Sequence, residues 1–341
     1  MIPLRSPKTQ SLTHPPVLGS TMDVAPVNGQ LFTYGDDPTR RMSVFITGAA
    51  ENRRCLLLVG GQSDGFFSLL FIRSLMSQTD SIGWAVVQVQ LASSCWGFGG
   101  RTHQDDAEDI VKLLYRLNSD FHMCEVTLVA WGTGVQVALA VLGTEDAKDI
   151  VSRVIFHGVV QDADDAFFHR ESHAHRVAQA LEMVDSGRRE QPLPMSVYDL
   201  PMSAARLSTG GLPSLQEALW VPALAPSHAI LPLSTVFQTS LRVPLLLLVA
   251  THPAYRPTEA VKVAFTAAIK HAATDASVEF MNDTCDEYRR MLRGSEATHT
   301  AAVVMFLKEQ DRKRAEREEQ DRLNAAENLR RSRSILARSA F

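Results

Sequence analysis

The 341-residue sequence predicts a doubly wound α/β protein built on a mostly parallel sheet. Three observations carry this. Cys55-Leu56-Leu57-Leu58-Val59 is an unbroken apolar run that ends in Gly60-Gly61, the pattern of a strand buried on both faces. Strand-like runs then alternate with amphipathic helical stretches, as βαβ units with right-handed crossovers require. Finally, Val126 to Gly143 reads as strand, sharp turn and helix, with β-branched Val126-Thr127-Leu128-Val129-Ala130 breaking at Gly132-Thr133-Gly134 before a small, apolar Val/Ala/Leu segment.

Taken in order, the first 28 residues are rich in Pro, Ser and Thr and form a loosely held lead-in. Gln30 to Tyr34 and Met42 to Thr47 are short edge strands. After the Cys55 strand come a helix over Phe66 to Met76, a strand over Trp84 to Val89 and a helix over Asp105 to Leu117. The Val126 strand and its helix follow, then a strand over Arg153 to His157. The next 78 positions, 162–239, are too long for a connection. Their helical patterns (Ser172 to Val184, Ser214 to Leu219) are punctuated by prolines, so they read as a cap inserted at the end of the sheet where ligands bind. The core resumes with a strand over Val243 to Val249, a helix over Thr258 to His271, a strand over Ser277 to Met281 and a helix from Thr298. The predicted domain therefore covers 29–307. Beyond Leu307 the composition turns to KEQDRKRAEREEQDR, whose i,i+4 pairs such as Glu318 with Arg322 support a solvated helix, a candidate contact for a protein partner.

A net charge of −4 argues against nucleic acid as a partner. The four cysteines have no regular spacing, which suits structural thiols in a reducing compartment. With no apolar leader at the start and no apolar run of membrane-spanning length, the expectation is a soluble, cytoplasmic protein. Neither G-x-G-x-x-G nor a phosphate loop is present, and His169, His173 and His175 have i,i+4 spacings without H-E-x-x-H. No cofactor or metal is expected.

Five segments, taken together, resemble an uncharacterised eukaryotic family of α/β-hydrolase-fold, esterase-like proteins. They are Gly60-Gly61-Gln62-Ser63-Asp64-Gly65, Ser93-Ser94-Cys95-Trp96-Gly97-Phe98-Gly99, the Gly132 turn with its following Gln136, His157-Gly158-Val159-Val160, and Asn282-Asp283-Thr284-Cys285-Asp286-Glu287. The resemblance implies an ester-cleaving triad of serine, acid and histidine, with the serine in a G-x-S-x-G nucleophile elbow. Here the elbow reads Ala130-Trp131-Gly132-Thr133-Gly134, so Gly132 stands at the nucleophile position. The loop that should hold the acid, Ala250 to Pro257, has no carboxylate. His299 fills the histidine position, with Asp283 or Glu296 as a candidate orienting acid.

The implied oxyanion donors are backbone N–H groups around Gly61 and Gln62 and that of Thr133. Ser63 and Cys95 are candidate displaced nucleophiles on the pocket rim. Loss of the serine alone costs a serine protease about a million-fold in kcat. The sequence thus describes a member impaired as a serine hydrolase, able to bind a small acyl or ester-like ligand in the old pocket or to bind a protein partner. The alternative is an active esterase with a relocated nucleophile or a water activated by His299.

Overall fold

The structure is a computed structural model that describes residues 26–35, 41–49, 51–61, 64–95, 99–157, 170–196, 202–209, 243–250, 258–273, 275–282 and 294–339. In chain order the elements are β1 (Gln30–Tyr34), β2 (Met42–Thr47), β3 (Arg54–Val59), α1 (Ile72–Asp80), β4 (Trp84–Gln90), α2 (His103–Phe121), β5 (Glu125–Trp131) and α3 (Gly134–Leu142). Then come β6 (Val151–His157), α4 (Arg170–Asp185), α5 (Ala204–Thr209), β7 (Leu245–Ala250), α6 (Glu259–Ala272), β8 (Ala276–Met281) and α7 (Glu296–Ser339). The strands form one sheet in the order β1-β2-β4-β3-β5-β6-β7-β8. β2 is antiparallel to β1 and β4, while the β4-β3-β5-β6-β7-β8 stretch is parallel throughout. This is the doubly wound, α/β-hydrolase-like sheet expected from the sequence.

Both faces of the central strands are buried because successive residues feed different layers. Cys55, Leu57 and Val59 of β3 join Ile110 of α2, Val135 of α3 and Ile269 of α6 on one face. Leu56 and Leu58 join Leu75 of α1 and Val303 of α7 on the other. A strand read as continuously apolar is therefore a strand covered twice.

Two helix boundaries differ from expectation for local reasons. α1 begins at Ile72 and not Phe66, because Phe67 takes a left-handed backbone (φ +61) and gives its N–H to Gln88 Oε1 at 2.8 Å. α2 begins before Asp105 because Thr102 and Asp105 form a reciprocal capping box.

Within 162–239, the stretch read from the sequence as a cap, the described residues hold α4, α5 and a bridge between Pro192 and Ser203. They bury a small core of their own with Ala180, Met183, Leu193 and Leu207. Ser203 N–H donates to Gly99 O at 2.7 Å, and Arg206 Nη1 meets His103 Nε2 at 2.6 Å. α5 and the residue before it are thereby tied to the connection between β4 and α2 and to the first residue of α2. The second expected cap helix, Ser214 to Leu219, lies outside the described residues.

The change of composition at Leu307 is not a change of structure. α7 runs on without a break, and Gln310 is buried. Asp311 pairs with Arg54 at 2.7 Å and Arg153 at 2.8 Å, Arg314 with Glu125 at 2.8 Å, and Lys313 with Asp275 at 2.8 Å. Arg153 also pairs with buried Glu125, and Arg54 and Arg153 both lie over the Trp84 ring, at 4.8 and 5.1 Å. Residues 321–330 are exposed. The solvated helix foreseen from the sequence thus begins several turns later than Leu307.

Candidate functional site

The elbow is a turn whose backbone leaves little choice of residue. Gly132, just past β5, has φ +57, the left-handed state that side chains other than glycine's occupy under strain. Its N–H donates to His157 O at 3.3 Å, which fastens the turn to the end of β6. Among the described residues, a Cβ on Gly132 would find nothing nearer than Gly61 Cα, at 3.5 Å, so none of them fills the place of a nucleophile's side chain. Gly134 is a different case. A Cβ there would stand 2.3 Å from Gly60 O and 2.4 Å from Val59 O, so α3 can lie this close to the end of β3 only with glycine. Thr133 is the N-cap of α3 and buried, and its side chain makes no capping bond. Its backbone N–H stands at the head of the helix, where donors face outward.

Facing this turn is a carboxylate that the sequence reading left without a role. Asp64 Oδ2 accepts the Gly61 N–H at 2.9 Å and the Trp131 indole Nε1–H at 2.6 Å. The Gly61 N–H, an expected oxyanion donor, is therefore already occupied. Gln62 and Ser63 lie outside the described residues.

His299 sits in the first turn of α7 and is completely buried. Its Nδ1 lies 2.8 Å from Ser295 O. A carbonyl only accepts, so Nδ1 carries the proton and Nε2 presents a lone pair. That Nε2 has no partner among the described residues. The orienting group is thus a backbone carbonyl where a triad would use a carboxylate. Glu296 instead accepts the Gly294 N–H at 2.6 Å, and Asp283 lies outside the described residues.

The His299 ring stacks on Phe71 (5.4 Å) and meets His157 edge-on (4.8 Å). His157, the last residue of β6 and the register partner of Trp131, also has a buried Nε2 without a partner among the described residues. Burial, and secondarily the neighbouring His299, lowers its pKa to about 3. Burial likewise lowers that of His299. Both imidazoles are neutral at physiological pH. His157 escaped the sequence reading as a site residue, although a histidine directly after the apolar Val154-Ile155-Phe156 is a signal that could have raised it.

Cys95 is exposed in another corner, with a left-handed backbone (φ +55). Its Sγ accepts from Gln90 Nε2 at 3.7 Å and lies 3.3 Å from where a Gly65 Cβ would be. These neighbours are not those of His299, which are Phe71, His157 and Ser295. The structure accordingly gathers Gly61, Asp64, Trp131, Gly132, Thr133 and His157 at the C-terminal ends of the strands, sets His299 against His157, and leaves Cys95 exposed.

A cavity of about 680 Å³ opens at the opposite, N-terminal end of the strands, lined by Arg53, Arg54, Glu125, Lys148 and Arg314. Arg54 and Arg314 are committed to Asp311 and Glu125, Lys148 to Glu145, and Arg53 Nη1 to Phe121 O. Its walls are the ionic seam of α7, far from the elbow.

Comparison with known proteins agrees with this architecture. The profile of a family described as "Protein of unknown function (DUF1749)" matches residues 22–265. UPF0613 protein PB24D3.06c of Schizosaccharomyces pombe is 30% identical over 166 residues, 45% of this chain and 52% of its own length, so the chain spans about half of that curated relative. A solved structure described as an alpha/beta hydrolase fold protein of unknown function superposes with a TM-score of 0.70 at 36% identity, over 85% of this chain and 99% of its own. Siderophore hydrolase EstB from Aspergillus fumigatus (TM-score 0.60, 15% identity, 84% and 98% covered) shares the fold. So does Est1E from Butyrivibrio proteoclasticus (TM-score 0.51, 13% identity, 83% and 99% covered). The chain has the α/β-hydrolase fold. Among the described residues, no helix is long and apolar enough to cross a membrane.

Proposed function

The chain belongs to the DUF1749 family, and from that premise we propose that it is a binding member of the fold, impaired as a serine hydrolase, that holds a small acyl or ester-like ligand at the emptied elbow. The observation that carries the reading is Gly132, which keeps the elbow's left-handed backbone, with no described residue in the place of a side chain, but has no nucleophilic atom. Supporting it, His299 is held by a carbonyl and packed by Phe71 and His157, and its Nε2 has no hydroxyl or thiol in hydrogen bond with it among the described residues. What the elbow retains is a backbone donor, Thr133 N–H, suited to a carbonyl oxygen. The exposed outer part of α7 supports a second, separable role as a contact for a protein partner.

The test is turnover of short-chain p-nitrophenyl esters and labelling by a fluorophosphonate, with His299→Ala alongside. The expected result is no turnover above the buffer rate and no label. Turnover that disappears in His299→Ala would overturn the reading and favour a relocated nucleophile or an activated water.

A further inference from the structure

We propose that the contact between Arg206 of α5 and His103 of α2 is a pH-sensitive latch, closed while the imidazole is neutral and released when it takes a proton. Arg206 Nη1 lies 2.6 Å from His103 Nε2. A guanidinium has donors only and keeps its charge at every physiological pH, so Nε2 accepts, and the ring in this contact is neutral with its proton on Nδ1. A second proton on the ring would bring two cations to that distance. Arg206 is 2% exposed, so water screens the repulsion poorly. The neighbouring bond, from Ser203 N–H to Gly99 O at 2.7 Å, joins backbone groups and does not titrate. His103 and Arg206 have further interactions of their own, so release loosens α5 without leaving either residue unpartnered. The latch belongs to the elbow's end of the sheet, because the connection to α2 leaves the C-terminal end of β4.

The charged groups at this corner come from three sides. α2 and its lead-in supply Arg101, Asp105, Asp106 and Asp109, the connection between α4 and α5 supplies Arg189, and β1 supplies Tyr34, whose phenol burial keeps neutral. Asp105 stays charged. Burial opposes its charge, but the hydrogen bonds from Thr102 and the charges of Arg101 and Arg189 hold its carboxyl below the ordinary value. Asp106 does titrate, since burial raises it to about 6 against the hydrogen bond from Ser93 and the charge of Arg206. Docking of α5 needs the neutral His103 ring, so the undocked state binds a proton more readily, and docking weakens as pH falls through the ordinary histidine value of about 6.5. An Asp106 exposed by undocking acts in the opposite sense, so the decisive variant changes His103 and leaves Asp106 in place.

Two measurements on the full chain test the latch. Imidazole ¹⁵N shifts at pH 7.5 should show His103 neutral, with the proton on Nδ1. Hydrogen exchange of the α5 amides, corrected for the intrinsic effect of pH, should speed up about tenfold between pH 7.5 and 5.5, the factor expected one pH unit below an ordinary histidine value. In His103→Gln, whose side-chain oxygen still accepts from Arg206 but takes no proton, that acceleration should disappear. A charged His103 at pH 7.5, a proton on Nε2, equal α5 exchange at the two pH values, or the same acceleration in His103→Gln overturns the inference. If His103→Gln does not fold, the ring shifts and exchange of the natural chain decide the matter.

Discussion

A serine placed at Gly132 would have to hold φ +57, which costs an L-residue about 1–2 kcal/mol, yet its Cβ would clear every described neighbour by at least 3.5 Å. Gly132→Ser should therefore fold with a loss of that order. Gly134→Ala, driven into Gly60 O and Val59 O, should lose about 3 kcal/mol or more. Urea unfolding of the two variants measures the difference, and equal losses would contradict the geometry. His157 supplies a pH dependence. Its folded pKa of about 3 lies below the ordinary 6.5, so the unfolded chain binds more protons between those values, and stability falls as pH drops through that window. His299 acts in the same direction, whereas Asp106, raised by burial to about 6, acts in the opposite one. Melting temperature followed from pH 7 to 4 should fall less steeply in His157→Gln than in the natural chain. Parallel curves would mean that His157 is not buried as a neutral ring. These residues were unevenly legible. The left-handed glycine of the turn could be read directly from the elbow motif, because spacing within a tight turn is local. Asp64 could not be given its role, because the bond that reveals it reaches 67 residues along the chain to Trp131.

At the level of elements, strands and helices were readable to within a few residues, because burial on two faces imposes an apolar pattern on β3 and β5 that no loop would carry. The C-terminal helix was not, since its docking relies on charges. Asp311 and Arg314 look like solvated residues until Arg54, Arg153 and Glu125 are brought beneath them from strands far away in sequence. Glu125 and Arg153 are almost wholly buried, so the partners supplied by α7 help to satisfy charges that would be costly to leave short of hydrogen bonds. Truncation after Leu307 removes Asp311, Lys313 and Arg314, and should lower the melting temperature by several degrees, consistent with a loss of about 1–3 kcal/mol. Truncation after Gln320 keeps every one of these pairs and should leave it nearly unchanged. Thermal denaturation of the two shortened chains distinguishes a docked helix from a tail that is solvated from 308 onward.

On the scale of the whole molecule, the two ends of the parallel strands do different work. The C-terminal ends hold the glycine turn, two neutral imidazoles and one pinned carboxylate, while the N-terminal ends hold a lattice of opposed charges around Trp84. The sequence placed the glycine turn at the C-terminal ends, since it follows directly on the apolar run of β5. It could not predict that a single helix serves both ends. His299 and Arg314 lie fifteen positions apart on α7, about 22 Å at 1.5 Å per residue, and β5, seven residues long, spans about 23 Å. The helix is therefore a gauge rod cut to the depth of the sheet. One residue inserted between these two marks would turn the far end by about 100° and advance it by 1.5 Å. Either the imidazole or the guanidinium would then miss its seat, so the length of this stretch is as constrained as the identity of any residue in it.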